Sequence, residues 1–272
     1  MKKIWVVRIL LAAAFLVATV LFFILGEEGT PAAVTHVRRL HITPVYFAET
    51  AGVTLVWLII TLVWGRIYCS TVCPIGAIQD IMLHVRRRIP RLNKPFRYTK
   101  PSRIRHHILI IYIACLIAGL VAVPLILEPW FITSNAVQCL GGNHSAWAAY
   151  GFSAVWGVIC GIVSLLVIFL WALLRGREFC NTVCPLGTAM SYLSRRSAFQ
   201  IVIDGDKCVS CMKCEENCRA SCIKVVSRYV DNTRCVRCME CVARCPEGAI
   251  RYTQDRQRPI TPLFGKVKRL GN

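Results

Sequence analysis

Twelve of the 16 cysteines fall in four short motifs, and the spacing of those motifs belongs to metal or redox chemistry. From Cys208 the pattern is C-x2-C-x2-C-x3-C (Cys208, Cys211, Cys214, Cys218), and it recurs 27 residues later at Cys235, Cys238, Cys241 and Cys245. Three thiolates on a tight loop can hold three irons of a cube, the fourth ligand arriving from the other motif. One [4Fe–4S] cluster would then take Cys208, Cys211, Cys214 and Cys245, and a second Cys235, Cys238, Cys241 and Cys218. Zinc is the alternative, but its sites usually pair two C-x2-C units across a longer spacer. Pro246 follows Cys245, whereas Arg219 stands at the matching place after Cys218, and Cys222 stands where Ala249 stands in the second motif. Cys222 reads as a small buried residue beside its cluster rather than a replacement ligand.

The other four cysteines belong to an internal repeat. Residues 65–76 (GRIYCSTVCPIG) and 176–187 (GREFCNTVCPLG) agree at 8 of 12 positions with an offset of 111. Each copy holds a C-x3-C-P motif, Cys69/Cys73 and Cys180/Cys184. Proline favours the first position of a helix, so Cys73 and Cys184 are expected at N-caps, where backbone N–H groups and the helix dipole stabilise a thiolate. An additional redox or metal site is one reading of these four thiols; turns that merely hold helices together are the other. After Pro74, apolar residues three and four apart lead to Arg86–Arg88, as in a helix lying in a membrane interface.

The elements that must position these motifs are written in the hydropathy. The 272 residues are 56% hydrophobic and 17% charged, with a mean hydropathy of +0.53, outside the range of an ordinary soluble enzyme and far too apolar for disorder. Four segments are long enough to span a bilayer: Ile4–Leu25, Val45–Trp64, Ile108–Leu127 and Phe152–Leu174. The first, behind Lys2, Lys3 and Arg8, could also serve as a signal peptide, though its apolar run is longer than a signal core requires. Ten Lys and Arg lie in residues 66–105, eighteen from Arg175 onward and none in 128–152. This alternation places both termini and the cysteine motifs on the cytoplasmic side, and it turns a net charge of +19 into an orientation signal and a basic inner face. That face suits anionic lipid or an acidic soluble electron carrier, and nucleic acid is not implied.

Cys115 and Cys160, within spans, and Cys139, in an outer loop, read as packing residues. His36, His41, His84, His106, His107 and His144 fall in loops or at span ends, so no pair is placed to clamp a haem. Glu49, Glu128, Trp130 and Trp147 read as outer interface anchors, a quinone headgroup being the other use for one of them.

The order of motifs resembles the NapH/NosR-type membrane 4Fe-4S binding proteins, in which a few transmembrane helices with two C-x3-C-P motifs precede a double-cluster ferredoxin domain. The resemblance rests on Cys69–Pro74, Cys180–Pro185 and the eight tail cysteines, and it runs from the first span to about Tyr252. It implies electron transfer at the cytoplasmic face of the inner membrane, often from quinol toward a partner oxidoreductase. The expected architecture is an α-helical membrane protein of four transmembrane helices in two repeated hairpins, residues 1–195. A small α+β bacterial-ferredoxin-like 2[4Fe–4S] domain follows at 196–255, then a basic tail at 256–272. No phosphate loop, nucleotide-binding glycine pattern or catalytic triad is present, so an electron-transfer subunit, with a quinol dehydrogenase component as one form of it, is expected rather than a stand-alone enzyme. The alternative is an assembly factor that reduces a metal or thiol for a respiratory or reductase complex, for which C-x3-C thiols are also suited.

Overall fold

The computed structural model describes residues 2–29, 40–41, 47–120, 126–141 and 154–255. His36, His144, Trp147 and the tail at 256–272 lie outside these residues, as do the side chains of Glu49 and Cys139. Helix α1 (Lys2–Gly29), α2 (Phe47–Trp64) and α7 (Ala154–Arg175) form where three of the apolar runs were expected. Each repeat copy folds into a short helix and a longer one: α3 (Tyr68–Thr71) with α4 (Pro74–Arg88), and α8 (Glu178–Thr182) with α9 (Pro185–Ser194).

The third expected span is different. Helix α5 (Ile104–Ile117) stops short of Leu127, because the chain turns at Gly119, whose φ of 70° is a left-handed conformation that glycine accepts without strain. At 14 residues α5 is about 21 Å long, less than a bilayer core. The chain then forms α6 (Pro129–Gly141) where a neutral outer loop was expected, and α6 packs on α7, α1 and α4. Trp130, Phe131, Ile132, Thr133, Ser134 and Asn135 are all buried. The segment carries no charge, so charge counting could not separate an outer loop from a helix buried among its neighbours. Glu128 and Trp130 are accordingly interior residues, Glu128 bonding the Tyr112 hydroxyl and Trp130 lying 4.5 Å from the His41 ring. Among the described residues, Lys3–Leu25 alone is long and apolar enough to cross a membrane; Ala51–Trp64, Ile104–Ile117 and Ile159–Arg175 are shorter apolar stretches.

The ferredoxin-like domain contains β1 (Gln200–Ile203), α10 (Lys213–Glu216), β2 (Ile223–Lys224), β3 (Tyr229–Val230), α11 (Glu240–Arg244) and β4 (Ile250–Thr253). β1 pairs antiparallel with β4, Gln200 opposite Thr253, and β2 with β3, Ile223 opposite Val230. Residues 223–230 thus form a hairpin, bent by the 3-10 turn Val225–Ser227 and by Arg228 at φ 47°. The two halves repeat in backbone as well as sequence. Ser210 and Arg237, Met212 and Met239, and Ser221 and Gly248 are left-handed pairs.

The domain is joined to the helices through helix ends. A helix leaves its last four carbonyls unpaired. Those of Leu62 and Val63 in α2 accept from the N–H groups of Ala198 and Phe199 at 2.9 and 2.8 Å, and that of Trp64 accepts from the Tyr252 hydroxyl at 2.7 Å. Just past α7 the Arg177 N–H donates to the Arg219 carbonyl at 2.8 Å.

Candidate metal centres

The first tail loop and the end of the second enclose one cavity, lined by Cys208, Cys211, Cys214 and Cys245 with Ile203 and Val225 behind them. Its rim is open, with Cys211 exposed and Cys208 and Cys245 half-buried. Cys235 and Cys241, with Cys218, are buried beneath the helices, and the Cys241 thiol is driven well up by burial first and then by Cys238, Cys235 and Cys218. The cavity thus brings Cys245 to Cys208, Cys211 and Cys214, while Cys218, Cys235 and Cys238 stand near Cys241. The left-handed residues within each loop turn successive N–H groups to one side, forming the concave nest that suits an anionic iron–sulfur core. Among the described residues no three His, Cys, Asp or Glu side chains converge as a single ion requires. In a cube each ligand sits on its own iron.

Cys222 is buried against the inner set: its Sγ lies 3.5 Å from that of Cys218, and its N–H donates to Cys218 Sγ at 3.4 Å. Cys235 is pulled below the ordinary thiol range by the Cys222 thiol and by Arg237, against the effect of burial.

The repeat brings a second constellation together. Cys73 and Cys184 cap α4 and α9 with extended backbone, and Cys184 Sγ accepts from the Gly187 N–H at 3.3 Å. Cys69, Cys73, Cys180 and Cys184 are all buried. The Cys73 thiol is raised far above its ordinary value by burial and then by Cys69, Cys180 and Cys184, and all four lie in one buried cluster. Burial lifts Cys180 to about 11 against the pull of Arg177. Without a metal Cys73, Cys180 and Cys184 are neutral thiols, and ligation must displace their protons.

The two copies interlock by exchanging arginines. Arg66 Nη2 donates to the Cys180 carbonyl at 3.0 Å, and Arg177 Nη1 donates to the Cys69 carbonyl at 2.9 Å. The first cysteine of each copy also meets an equivalent residue of the other: Cys180 Sγ donates to Gln79 Oε1 at 3.0 Å, and Cys69 Sγ lies 4.0 Å from Met190 Sδ. Gly76 and Gly187 make this possible, since a Cβ there would lie 2.1 Å from the Cys69 carbonyl oxygen and 2.2 Å from that of Cys180. Gly187→Ala should therefore destabilise the protein by about 1–3 kcal/mol. Gly52→Ala in α2, where nothing lies within 4 Å, should be neutral or slightly stabilising. Thermal unfolding in detergent reads both, and equal midpoints would refute the packing argument.

Sequence reasoning passed over Arg66, Arg177, Gln79, Asn181 and Asp80. The signal for the two arginines was present, because Gly65-Arg66 and Gly176-Arg177 are identical positions of the repeat. Arg219, seen only as a departure from proline, bonds Asp80 at 2.7 Å and Glu240 at 3.0 Å. Burial would raise the Glu240 carboxyl, but Arg219 and Arg87 hold it at about 2.

Residues 50–93 and 158–201 each match a family described as a 4Fe-4S binding domain, and residues 228–251 match another of that description. The ferredoxin-type protein NapH of Haemophilus influenzae is 30% identical over 61% of this chain and 52% of its own length. The chain carries 4Fe-4S binding domains and is homologous to NapH and NosR. The putative electron transport protein YccM of Escherichia coli is 24% identical over 64% of this chain and 47% of its own. The regulatory protein NosR of Pseudomonas aeruginosa is 25% identical over 60% of this chain and 21% of its own. This chain spans about half the length of the NapH and YccM relatives. No solved structure matches it. The chain is thus similar to proteins described as ferredoxin-type. The tail match covers the Cys235–Cys245 motif and leaves out the first half, where Arg219 and Cys222 depart from the second.

Proposed function

We propose that this chain is a multi-pass inner-membrane electron-transfer subunit with its centres on the cytoplasmic side. It would pass electrons between the quinone pool or a soluble donor and a partner oxidoreductase. The observation that carries this reading is the placement of the two tail sets. The Cys235–Cys241 loop lies against the helices, Arg8 Nη1 of α1 donating to the Cys238 carbonyl at 3.1 Å, while the Cys208–Cys211 edge opens to solvent. One set is thus placed to exchange electrons with the membrane part, and the other with a soluble partner such as an acidic carrier.

A girdle of exposed apolar side chains supports the membrane reading. It includes Leu10 and Val17 on α1, Leu55 and Ile59 on α2, Ile110 and Ile117 on α5, and Leu166 and Leu170 on α7. In water so extensive a surface is a liability; in lipid it is the expected exterior.

Two [4Fe–4S] clusters, held by Cys208, Cys211, Cys214, Cys245 and by Cys235, Cys238, Cys241, Cys218, would supply one-electron steps. The chain's own part is to fix the thiolates, aim N–H groups at the sulfurs and exclude water from the inner set, all of which tune the potential. The four C-x3-C-P thiols serve as an additional redox or metal site in the relay. In membranes, quinol and dithionite should both reduce the tail clusters of the unaltered protein. Cys69→Ser with Cys180→Ser should abolish the quinol response and leave that to dithionite. Unchanged quinol reduction removes those thiols from the path.

A further inference from the structure

We propose that Cys69, Cys73, Cys180 and Cys184 together hold one [4Fe–4S] cluster shared between the two repeat copies, with Gln79, Asn181 and Arg66 donating hydrogen bonds to it. This rests on the reading of the four thiols as a redox or metal site. It adds the class of the group, the pooling of ligands across the repeat and the residues that set its potential.

Each of the two regions matching a 4Fe-4S binding domain contains only two of these cysteines, so neither can complete a cube alone. The fold removes that shortage by setting the copies face to face, locked by the exchanged arginines. The four thiols lie in one buried cluster, and a cube takes one thiolate on each of its four irons.

The second observation is a group of unsatisfied donors. Gln79 Nε2, Asn181 Nδ2 and Arg66 Nε are buried without a hydrogen-bond partner. Such orphans are costly and few in native proteins. All three side chains touch the repeat. Arg66 Nη1 donates to Asn181 Oδ1 at 2.6 Å, Arg66 Nη2 lies 4.0 Å from Cys69 Sγ, and Gln79 Oε1 accepts from the Cys180 thiol. Once Cys180 gives up its proton to become a ligand it can only accept. The Gln79 amide then exchanges its oxygen and nitrogen ends and donates from Nε2 to the sulfur. Four thiolates on a core of charge +2 leave two net negative charges, of which the Arg66 guanidinium offsets one while the two amides donate hydrogen bonds. The redox step moves one electron, taking the core from +2 to +1 and back, with no bond made or broken.

The repeat supplies an internal comparison. Met190 is the residue 111 beyond Gln79, so one thiolate of the pair is met by an amide and the other by a thioether. Hydrogen bonds to cluster sulfurs favour the reduced, more negative state. Gln79→Met makes the two sides alike and removes a donor at nearly constant volume.

The test is iron, sulfide and zinc analysis of the anaerobically reconstituted full chain in detergent, with EPR of the reduced protein. About twelve irons are expected in the unaltered protein, at four per cluster. Cys73→Ser with Cys184→Ser should lower this to about eight and delete one EPR signal while both tail signals remain. About eight irons in both proteins, or one zinc or one iron lost with the two cysteines, would overturn the shared cluster. Gln79→Met should keep all the iron and lower the reduced-to-oxidised ratio of the third signal about tenfold at fixed potential, a shift of about 59 mV for one electron. An unchanged ratio would overturn the role of Gln79 as donor. Reduction by quinol is a separate measurement: its absence with twelve irons present would defeat the electron-transfer reading and leave the shared cluster standing.

Discussion

Asp80→Asn is expected to destabilise the protein by about 3–5 kcal/mol and to loosen the ferredoxin-like domain from the helices, the range found when one member of a buried charge network is removed. Asp80 lies on α4, between Arg8 of α1, Arg177 at the start of the second repeat copy and Arg219 of the ferredoxin-like domain. All three arginines are buried. Asparagine keeps the volume but takes the Asp80 counter-charge from Arg8 and Arg177 and leaves Arg219 with Glu240 alone, so the loss is larger than any single contact. Burial would raise the Asp80 carboxyl, but Arg177, Arg219 and Arg8 hold it well below the usual carboxylate range. A carboxyl depressed in this way contributes stability that is fully present above its unfolded pKa of about 4. That contribution is lost as the pH falls from there through the lower folded value. Glu178→Gln is the contrasting variant, because its partner Arg175 is 68% exposed and the pair is a surface one worth less than about 1 kcal/mol. Thermal unfolding in detergent, with limited proteolysis across residues 195–200, reads both. Equal midpoints and equal resistance to cleavage would show that Asp80 does not hold the two parts together.

The repeat and the eight tail cysteines were legible because their information is local. A C-x3-C-P spacing places a cap at Cys73 or Cys184 whatever surrounds it, and a ligand loop with residues such as Ser210 and Met212 in left-handed conformation is set within seven positions. The apolar runs likewise announced α1, α2 and α7. Residues 129–141 were not legible. An uncharged stretch reads the same whether it lies outside the membrane or packs among helices, and the single residue that ends α5, Gly119, is ordinary in sequence. The positive charge was also read only in part. Arg66, Arg86, Arg177, Arg219 and Arg237 are among the residues counted as orientation signal or basic face, yet each is buried and bonded to carbonyls or carboxylates far along the chain. Composition counts such residues but cannot find their partners, since Asp80 and Arg219 meet only after the second repeat copy has folded over the first.

Single serine replacements in the tail should divide the eight cysteines by cluster rather than by motif. Cys245→Ser should remove the same EPR signal as Cys211→Ser, although Cys245 belongs to the second run, because Cys245 lines the cavity with Cys208, Cys211 and Cys214. Cys218→Ser should remove the signal that Cys238→Ser removes. Each variant should lose about four irons per chain, and the inner losses should be the more damaging to folding. Cys218, Cys235 and Cys241 lie in the core that also contains Cys69, Cys73, Cys180 and Cys184, so an empty inner site leaves buried thiols facing one another without the metal that joins them. The outer site faces solvent at Cys211 and tolerates loss better. Cys222 adds one qualification from the geometry. With its Sγ 3.5 Å from that of Cys218, it is the nearest substitute ligand, so Cys218→Ser should retain partial inner iron that Cys218→Ser with Cys222→Ala does not. Mössbauer and EPR spectra of the four variants decide the pairing. If Cys245→Ser instead deleted the signal lost with Cys238→Ser, each run would hold its own cluster and the crossed assignment would fall.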